Sequence, residues 1–300
     1  MLSADWSDLQ AFHALAETGQ LARAGQLAGV DATTIGRRVR RLEARLGAIL
    51  FEQGRDGQAL TEAGRRLAGE VALMARAANR IGGGEEAAGE DGLSGSLRLS
   101  VSEGFGSWFL ARHVGRWRAA HPGLTLDLVA SPGFLNLSKR EADLAVVLSR
   151  PQAGPLVARK LADYALGLYA SPAYLATAGT PASAAELAAG HVLVGYVPDL
   201  LYSPELDYMR EIAPALGVRL RSSSVNAQAR MIAAGAGIGV LPCFIGDLEP
   251  AVVRLWPQRR IVRSLWLAMH KDTHQSARIA AIKDWLVALV ASERDTLLPG

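Results

Sequence analysis

The chain has 300 residues, 50% of them hydrophobic and 20% charged, with a formal net charge of +3. That length allows two or three domains with a sizeable core, while so small a positive excess excludes a uniformly basic coat protein and confines any nucleic-acid footprint to a local patch. Cys243 is the single cysteine, which excludes an internal disulfide and fits a reducing compartment.

The first residues lack the basic-then-apolar pattern of a signal peptide, and no apolar run reaches membrane-spanning length. A cytoplasmic setting without a membrane partner is therefore expected. Leu9, Phe12, Leu15 and Ala16 have helical spacing over 7–18, and Thr18-Gly19 breaks it. Leu21, Ala24, Leu27 and Ala28 start a short second helix, and Gly29-Val30 turns the chain. Small residues at Ala24, Gly25 and Ala28 let this helix lie close against the next.

Residues 31–46 organise the chain. Ile35, Val39, Leu42 and Leu46 recur at i, i+4, i+7 and i+11, one face of a helix, and Asp31 stands where an N-cap belongs. Thr33, Thr34, Arg37, Arg40 and Arg41 fall on the other faces. A solvated surface helix is the plain alternative, but Arg37, Arg38, Arg40, Arg41 and Arg45 oppose only Glu43, and arginine matches phosphate and guanine bidentately. Two short helices joined by a Gly-containing turn predict a helix-turn-helix. Ile49-Leu50-Phe51, a turn at 54–57 and Ala59-Leu60 predict a hairpin wing with Arg55 at its tip, within reach of a phosphate.

Three segments resemble the N-terminal signature of LysR-type transcriptional regulators: Ala16-Glu17-Thr18-Gly19 with Arg23-Ala24, Arg41-Leu42-Glu43 with Leu46-Gly47 and Leu50-Phe51-Glu52, and Leu60-Thr61-Glu62-Ala63-Gly64. The family often has Ser where this chain has Asp31, Gln-Pro where it has Ala32-Thr33, and Ser where it has Gly36. The binding role carries over, and the base preference does not. The resemblance implies DNA contacts from Arg23, Ala32, Thr33, Thr34, Arg37, Arg38, Arg41 and Arg55. Gly25 replaces a frequent Ala, a change expected only to weaken the helix.

Thr61 can cap a helix opening at Glu62. Leu67, Val71, Met74, Ala78 and Ile81 then recur at 4, 3, 4 and 3, the seam of a two-stranded coil or the buried stripe of a helix packed on its own domain. The resemblance implies the former, a dimerisation helix. Gly82-Gly83-Gly84 ends it, and a Gly- and Glu-rich linker follows to Ser96.

Beyond 97, strands are expected at 97–101, 124–129, 143–148, 164–169, 191–196, 218–221, 237–241 and 264–269, and helices at 108–120 and 277–290. Strands alternating with helices imply parallel sheets. Tyr169-Ala-Ser-Pro with Tyr174-Leu175, and Gly235 with Gly237-Ile238-Gly239 and Leu241-Pro242, also resemble the LysR-type effector domain. That resemblance implies two lobes like those of periplasmic solute-binding proteins, 97–162 with 265–300 and 163–264. The crossovers would lie near Ala162–Tyr164 and Val262–Leu265, with a ligand in the cleft. Ligands sit beyond the carboxyl ends of strands, at helix N-termini. Ser102, Glu103 and Gly104, Ser131 and Pro132, and Asn226 are therefore candidate effector residues, though the Ser and Asn could simply cap helices; Tyr196 and Tyr202 could add an aromatic wall or simply pack. A carboxylate at Glu103 would discourage an acidic ligand and welcome a donor or cation.

The fold expected is an α/β sensor, two-lobed and periplasmic-binding-protein-like, preceded by an all-α winged helix-turn-helix domain (1–61), a dimerisation helix (62–81) and a linker (82–96). Gly235, Gly237 and Gly239 lie between helix and strand, the reverse of a dinucleotide loop. No nucleophile elbow, P-loop or zinc-binding spacing occurs, so no enzymatic activity, cofactor or metal is expected. The partners implied are double-stranded DNA, a small-molecule effector, a second copy of the chain in a dimer or tetramer, and RNA polymerase. A solute-binding module without sequence-specific DNA readout is the alternative.

Overall fold

A computed structural model of the chain describes residues 5–54, 57–81, 93–131, 133, 135–138, 141–212, 217–272 and 276–300. It divides into two compact units at Gly84/Glu85. Arg55, Pro132, the segment 82–92 and the side chain of Ile81, all named above, lie outside the described residues.

The first unit opens with α1 (Trp6–Thr18), α2 (Leu21–Ala28) and α3 (Ala32–Leu46). Asp5 caps α1 through Ser7 N, and Asp31 caps α3 through Thr34 N. Each helix ends on a glycine with positive φ, at Gly19, Gly29 and Gly47. Leu9, Phe12, Leu15, Ala24, Ile35, Val39 and Leu42 form one core with Leu50, Phe51 and Val71. Leu46, expected on the buried face, is 39% exposed at the end of the helix. Ala28 is exposed as well, so the close packing falls to Ala24 and Gly25. A Cβ on Gly25 would lie 2.6 Å from the Val30 carbonyl oxygen. The glycine is required by the turn, which corrects the expectation that it only weakens the helix.

The wing is a hairpin of β1 (Phe51–Gly54) and β2 (Gly57–Leu60), in register Phe51 with Leu60 and Gly54 with Gly57. Ile49 lies outside it, 72% exposed. The Thr61 hydroxyl accepts the Gly64 amide at 3.0 Å, capping α4 (Glu62–Ile81).

The second unit runs β3 (Gly95–Ser102), a π turn (Phe105–Phe109), a 3-10 turn (Leu110–Arg112), α5 (Val114–Ala120), β4 (Leu124–Ser131), β5 (Leu144–Val147) and β6 (Leu156–Ala170). The single helix expected over 108–120 is thus broken at His113. The chain continues with α6 (Pro172–Ala178), α7 (Ala184–Gly190), β7 (Leu193–Gly195), α8 (Met209–Ile212), β8 (Leu220–Arg221), α9 (Val225–Ala233), β9 (Ile238–Pro242), α10 (Cys243–Gly246), β10 (Val253–Leu255), β11 (Ile261–His270), α11 (Ala277–Ser292) and α12 (Arg294–Leu297).

The strands join in the order β4-β3-β5-β11-β6-β9-β7-β8, with β10 on β6. Parallel pairs flank a long antiparallel centre, where β6 and β11 pair from Leu156–His270 to Leu166–Ile261. The sheet is mixed because β6 leads away from β3–β5 and β11 returns. A register shift falls between the pairs Leu265–Ala162 and Trp266–Lys160. Phe105, Phe109, Trp117, Tyr169, Leu144 and Leu166 are fully buried on this sheet. Each removes enough apolar surface from water to contribute roughly 1.5–3 kcal/mol.

Candidate DNA-reading face and effector cleft

Helix α3 presents Thr33, Thr34, Arg37 and Arg40 around an open groove. Among the described residues, neither Arg37 nor Arg40 is ion-paired; Arg40 Nε donates to its own helix at Gly36 O, 3.2 Å. The two threonines are held from below. Thr33 Oγ1 donates to Asp31 Oδ1 at 2.5 Å and Thr34 Oγ1 to Asp31 Oδ2 at 3.0 Å, while the Thr34 amide donates to Asp31 Oδ1 at 2.6 Å. These donors hold the Asp31 carboxyl down at about 2, below its usual 3.8. With their protons committed, the threonines offer lone pairs and methyl groups outward. Ala32 opens the helix beside them, and Arg23 is exposed on α2.

Two arginines of the expected DNA-contact set are engaged within the unit. Arg41 grips Asp8 of α1, its Nε 2.8 Å from Oδ2 and its Nη2 on Oδ1, and Arg45 Nη1 stands 3.8 Å away. The Asp8 side chain is 0% exposed, so Arg41 neutralises a buried carboxylate. Arg38 is half-buried and lines a groove with Trp6, His13 and Glu17 of α1 and Ala75 and Ala78 of α4, away from the threonines. Arg40, left out of the expected contacts, lines the reading groove. The helical wheel shows it there, but only the tertiary structure removes Arg41 from competition.

The expected dimer seam is turned inward for part of its length. Val71 is 1% exposed, and Leu67 and Met74 pack with it on the core of its own unit. A stripe spaced 4-3-4 records which face is buried, not what buries it. Ala78 faces the groove that Arg38 lines.

In the second unit, Ser102, Gly104, Tyr196 and Tyr202 line one small cavity. Phe105, Tyr164, Tyr208, Val225, Phe244 and Leu265 are among the other residues of its wall. Tyr164 and Phe244 were missed because each lies in a segment that reads as core, and Tyr208 because the sequence assigns its polar stretch no element. Burial holds the phenols of Tyr164, Tyr196 and Tyr208 well above the usual tyrosine range. Burial, then the Glu103 charge, lifts Tyr202 to about 12. All four are neutral near neutral pH. Ser131 departs from the expected set, for its hydroxyl donates to the Gly133 carbonyl and it does not line the cavity.

Glu103 accepts the Ser224 hydroxyl at 2.8 Å and the Val225 amide at 2.9 Å. Asn226 Oδ1 accepts the Trp108 indole N–H at 2.8 Å, and its amide donates to Ser107 Oγ at 3.3 Å. Cys243 is buried beside Tyr169, and burial pushes its thiol up. Among the described residues no cluster of three or more His, Cys, Asp or Glu could hold a metal ion. No described helix is long and apolar enough to cross a membrane.

Residues 6–65 match the family described as bacterial regulatory helix-turn-helix protein, lysR family, and residues 90–291 match the LysR substrate binding domain. The chain is 29% identical over 293 residues to the Mau operon transcriptional activator of Paracoccus denitrificans, covering 96% of this chain and 97% of that protein. It is 30% identical over 255 residues to the HTH-type transcriptional regulator CrgA of Neisseria meningitidis, 83% of each. The solved regulatory domain of CrgA superposes with a TM-score of 0.59 at 25% identity, covering 65% of this chain and 98% of that one. Full-length CbnR, solved with its target DNA, shares the fold at a TM-score of 0.67 and 19% identity, covering 95% of this chain and 99% of that one.

Proposed function

The chain belongs to the LysR family of bacterial helix-turn-helix regulators, a DNA-binding transcriptional regulator with an effector-binding domain, and on that premise we propose how its residues divide the work. Thr33, Thr34 and Arg37 read base edges in the major groove, with Ala32 beside them. Arg23, Arg40 and the wing residue Arg55 hold phosphates and set the register. The exposed groove of Thr33, Thr34, Arg37 and Arg40, whose two arginines have no ion-pair partner among the described residues, carries this reading.

One helix reads few bases, so the chain works as a homodimer or tetramer on a dyad-symmetric site. Helix α4 makes the dimer through the partly exposed Leu67, Met74 and Ala78. The domains run 1–61, 62–81, 82–96 and 97–300. The sensor lobes exchange the chain along β6 and β11, and the effector binds at the tyrosine-lined cavity between them. Binding shifts the balance of lobe arrangements and with it the spacing of the DNA-binding heads. The reading assigns the chain no catalytic step, a cytoplasmic location and RNA polymerase as a partner at its promoters.

Selection of source-genome fragments by the purified full-length protein at physiological salt tests it. A shared dyad-symmetric site is expected. Recovery of random, salt-sensitive DNA alone, with and without candidate effectors, would end the sequence-specific reading.

A further inference from the structure

Glu103 directly follows β3, and the groups it binds open α9, some 121 residues later in the chain. Its carboxylate takes the Ser224 hydroxyl and the Val225 amide together. Ser224 in turn accepts the Ala227 amide at 3.1 Å. The end of the helix that favours negative charge is therefore filled by the chain's own carboxylate.

A second tie lies beside the first, Trp108 and Ser107 on Asn226, with the Arg230 guanidinium 5.9 Å from the Trp108 ring centre. Glu103, Ser107 and Trp108 precede β6, and their partners follow it, so both ties bridge the two sides of the cleft. The approach is close: a Cβ on Gly104 would lie 2.9 Å from Ile245 Cδ1 and 3.0 Å from Val225 Cγ1. The cavity behind it measures about 30 Å³, the room of a single water. Its described lining contains aromatic and aliphatic side chains and no Lys or Arg.

We propose that Glu103 is a built-in occupant of the effector cleft: it latches the lobes closed without effector, and it restricts effectors to small compounds without negative charge that part Glu103 from α9 and insert among Tyr164, Tyr196, Tyr202 and Tyr208. The proposal rests on the reading of this cavity as the effector site. An acidic effector meets a carboxylate in a cleft whose described lining offers no Lys or Arg, and the Arg263 charge that reaches Tyr164 and Tyr208 is already paired with Glu211. A neutral or cationic one meets four aromatic rings, which attract cations, and phenol hydroxyls, of which that of Tyr208 already donates to the Val240 carbonyl.

The test uses the full-length protein, as wild type, Glu103→Ala and Glu103→Gln. Hydrogen exchange is read at the Val225 amide, and thermal unfolding is followed in sodium acetate against sodium chloride of equal ionic strength. Losing a charge-assisted acceptor should cut protection at Val225 roughly tenfold or more in Glu103→Ala. Acetate fits the vacated place, so it should raise the midpoint of Glu103→Ala and leave the wild type unmoved. Glu103→Gln, which fills the space without the charge, should lose less protection and ignore acetate. Equal exchange at Val225 in all three proteins, or acetate stabilising the wild type as much as Glu103→Ala, would overturn the proposal. If Glu103→Ala does not fold, unchanged Val225 protection in Glu103→Gln overturns it alone. DNA selection by the same wild-type sample separates a failed latch from a failed regulator reading, because base recognition does not involve Glu103.

Discussion

Replacing Arg41 by Ala separates a structural clamp from a DNA contact. In the structure its guanidinium forms a fork on Asp8, whose side chain is 0% exposed while that of Arg41 is 49% exposed. Hydrogen bonds to charged groups contribute about 1.5–3 kcal/mol. Half-exposure of the arginine screens part of this, which leaves a coupling of about 1.5–2 kcal/mol. The single variant loses more, about 2–3 kcal/mol, because Asp8 stays buried with only Arg45 at 3.8 Å to answer it. For a unit of this size each kcal/mol moves the midpoint by about 4–8 °C, so the first unit should melt about 10 °C or more earlier. The assay is a double-mutant cycle of Asp8→Ala and Arg41→Ala by thermal unfolding, with DNA affinity measured against salt well below the new midpoint. The clamp predicts a double variant less damaged than the sum of the singles and an unchanged salt slope. Additive losses, or a normal midpoint with a slope reduced by about 0.9, the value of one phosphate contact, would refute the reasoning.

Gly25→Ala should destabilise the first unit by about 1–2 kcal/mol, read by urea denaturation, since overpacking against the Val30 carbonyl outweighs the gain of about 1 kcal/mol in helix propensity. A stabilised variant would contradict the close approach. Arg37→Ala should cost about 1–3 kcal/mol at one base pair of the selected site and little on random DNA; equal loss on both, in competition binding, argues against base readout. Asp31 has a lowered carboxyl, about 2 against its usual 3.8. Its stabilisation is therefore full above about pH 4 and is lost as pH falls through about 2. Circular dichroism of Asp31→Asn should show that part of the acid limb flattened. Cys243, buried with its thiol pushed up, should resist iodoacetamide in the native protein and react only on unfolding, as mass spectrometry would show; rapid native labelling would contradict its burial.

What could be read along the chain was what local chemistry determines. Asp31 and Gly47 bracket α3 because a carboxylate satisfies free amides at one end and a glycine turns the chain at the other. The buried stripe Ile35, Val39, Leu42 follows from helical period, and the hairpin from a turn between two short apolar runs. The ordered LysR-like motifs carried the family. In β6 only the later half was legible, since residues 164–170 are buried throughout, while 156–163 alternate and show no apolar run. Periodicity states which face is covered and never by what. So only the tertiary structure decided that Val71 faces its own core, that Arg41 serves Asp8 and Arg37 does not, and that Tyr164 and Tyr208 join Tyr196 and Tyr202 around one cavity. Glu103 shows the limit most plainly. Its charge was visible in the sequence, but a carboxylate acts through its partners, and these lie 121 and 122 residues away, beyond the crossing made by β6.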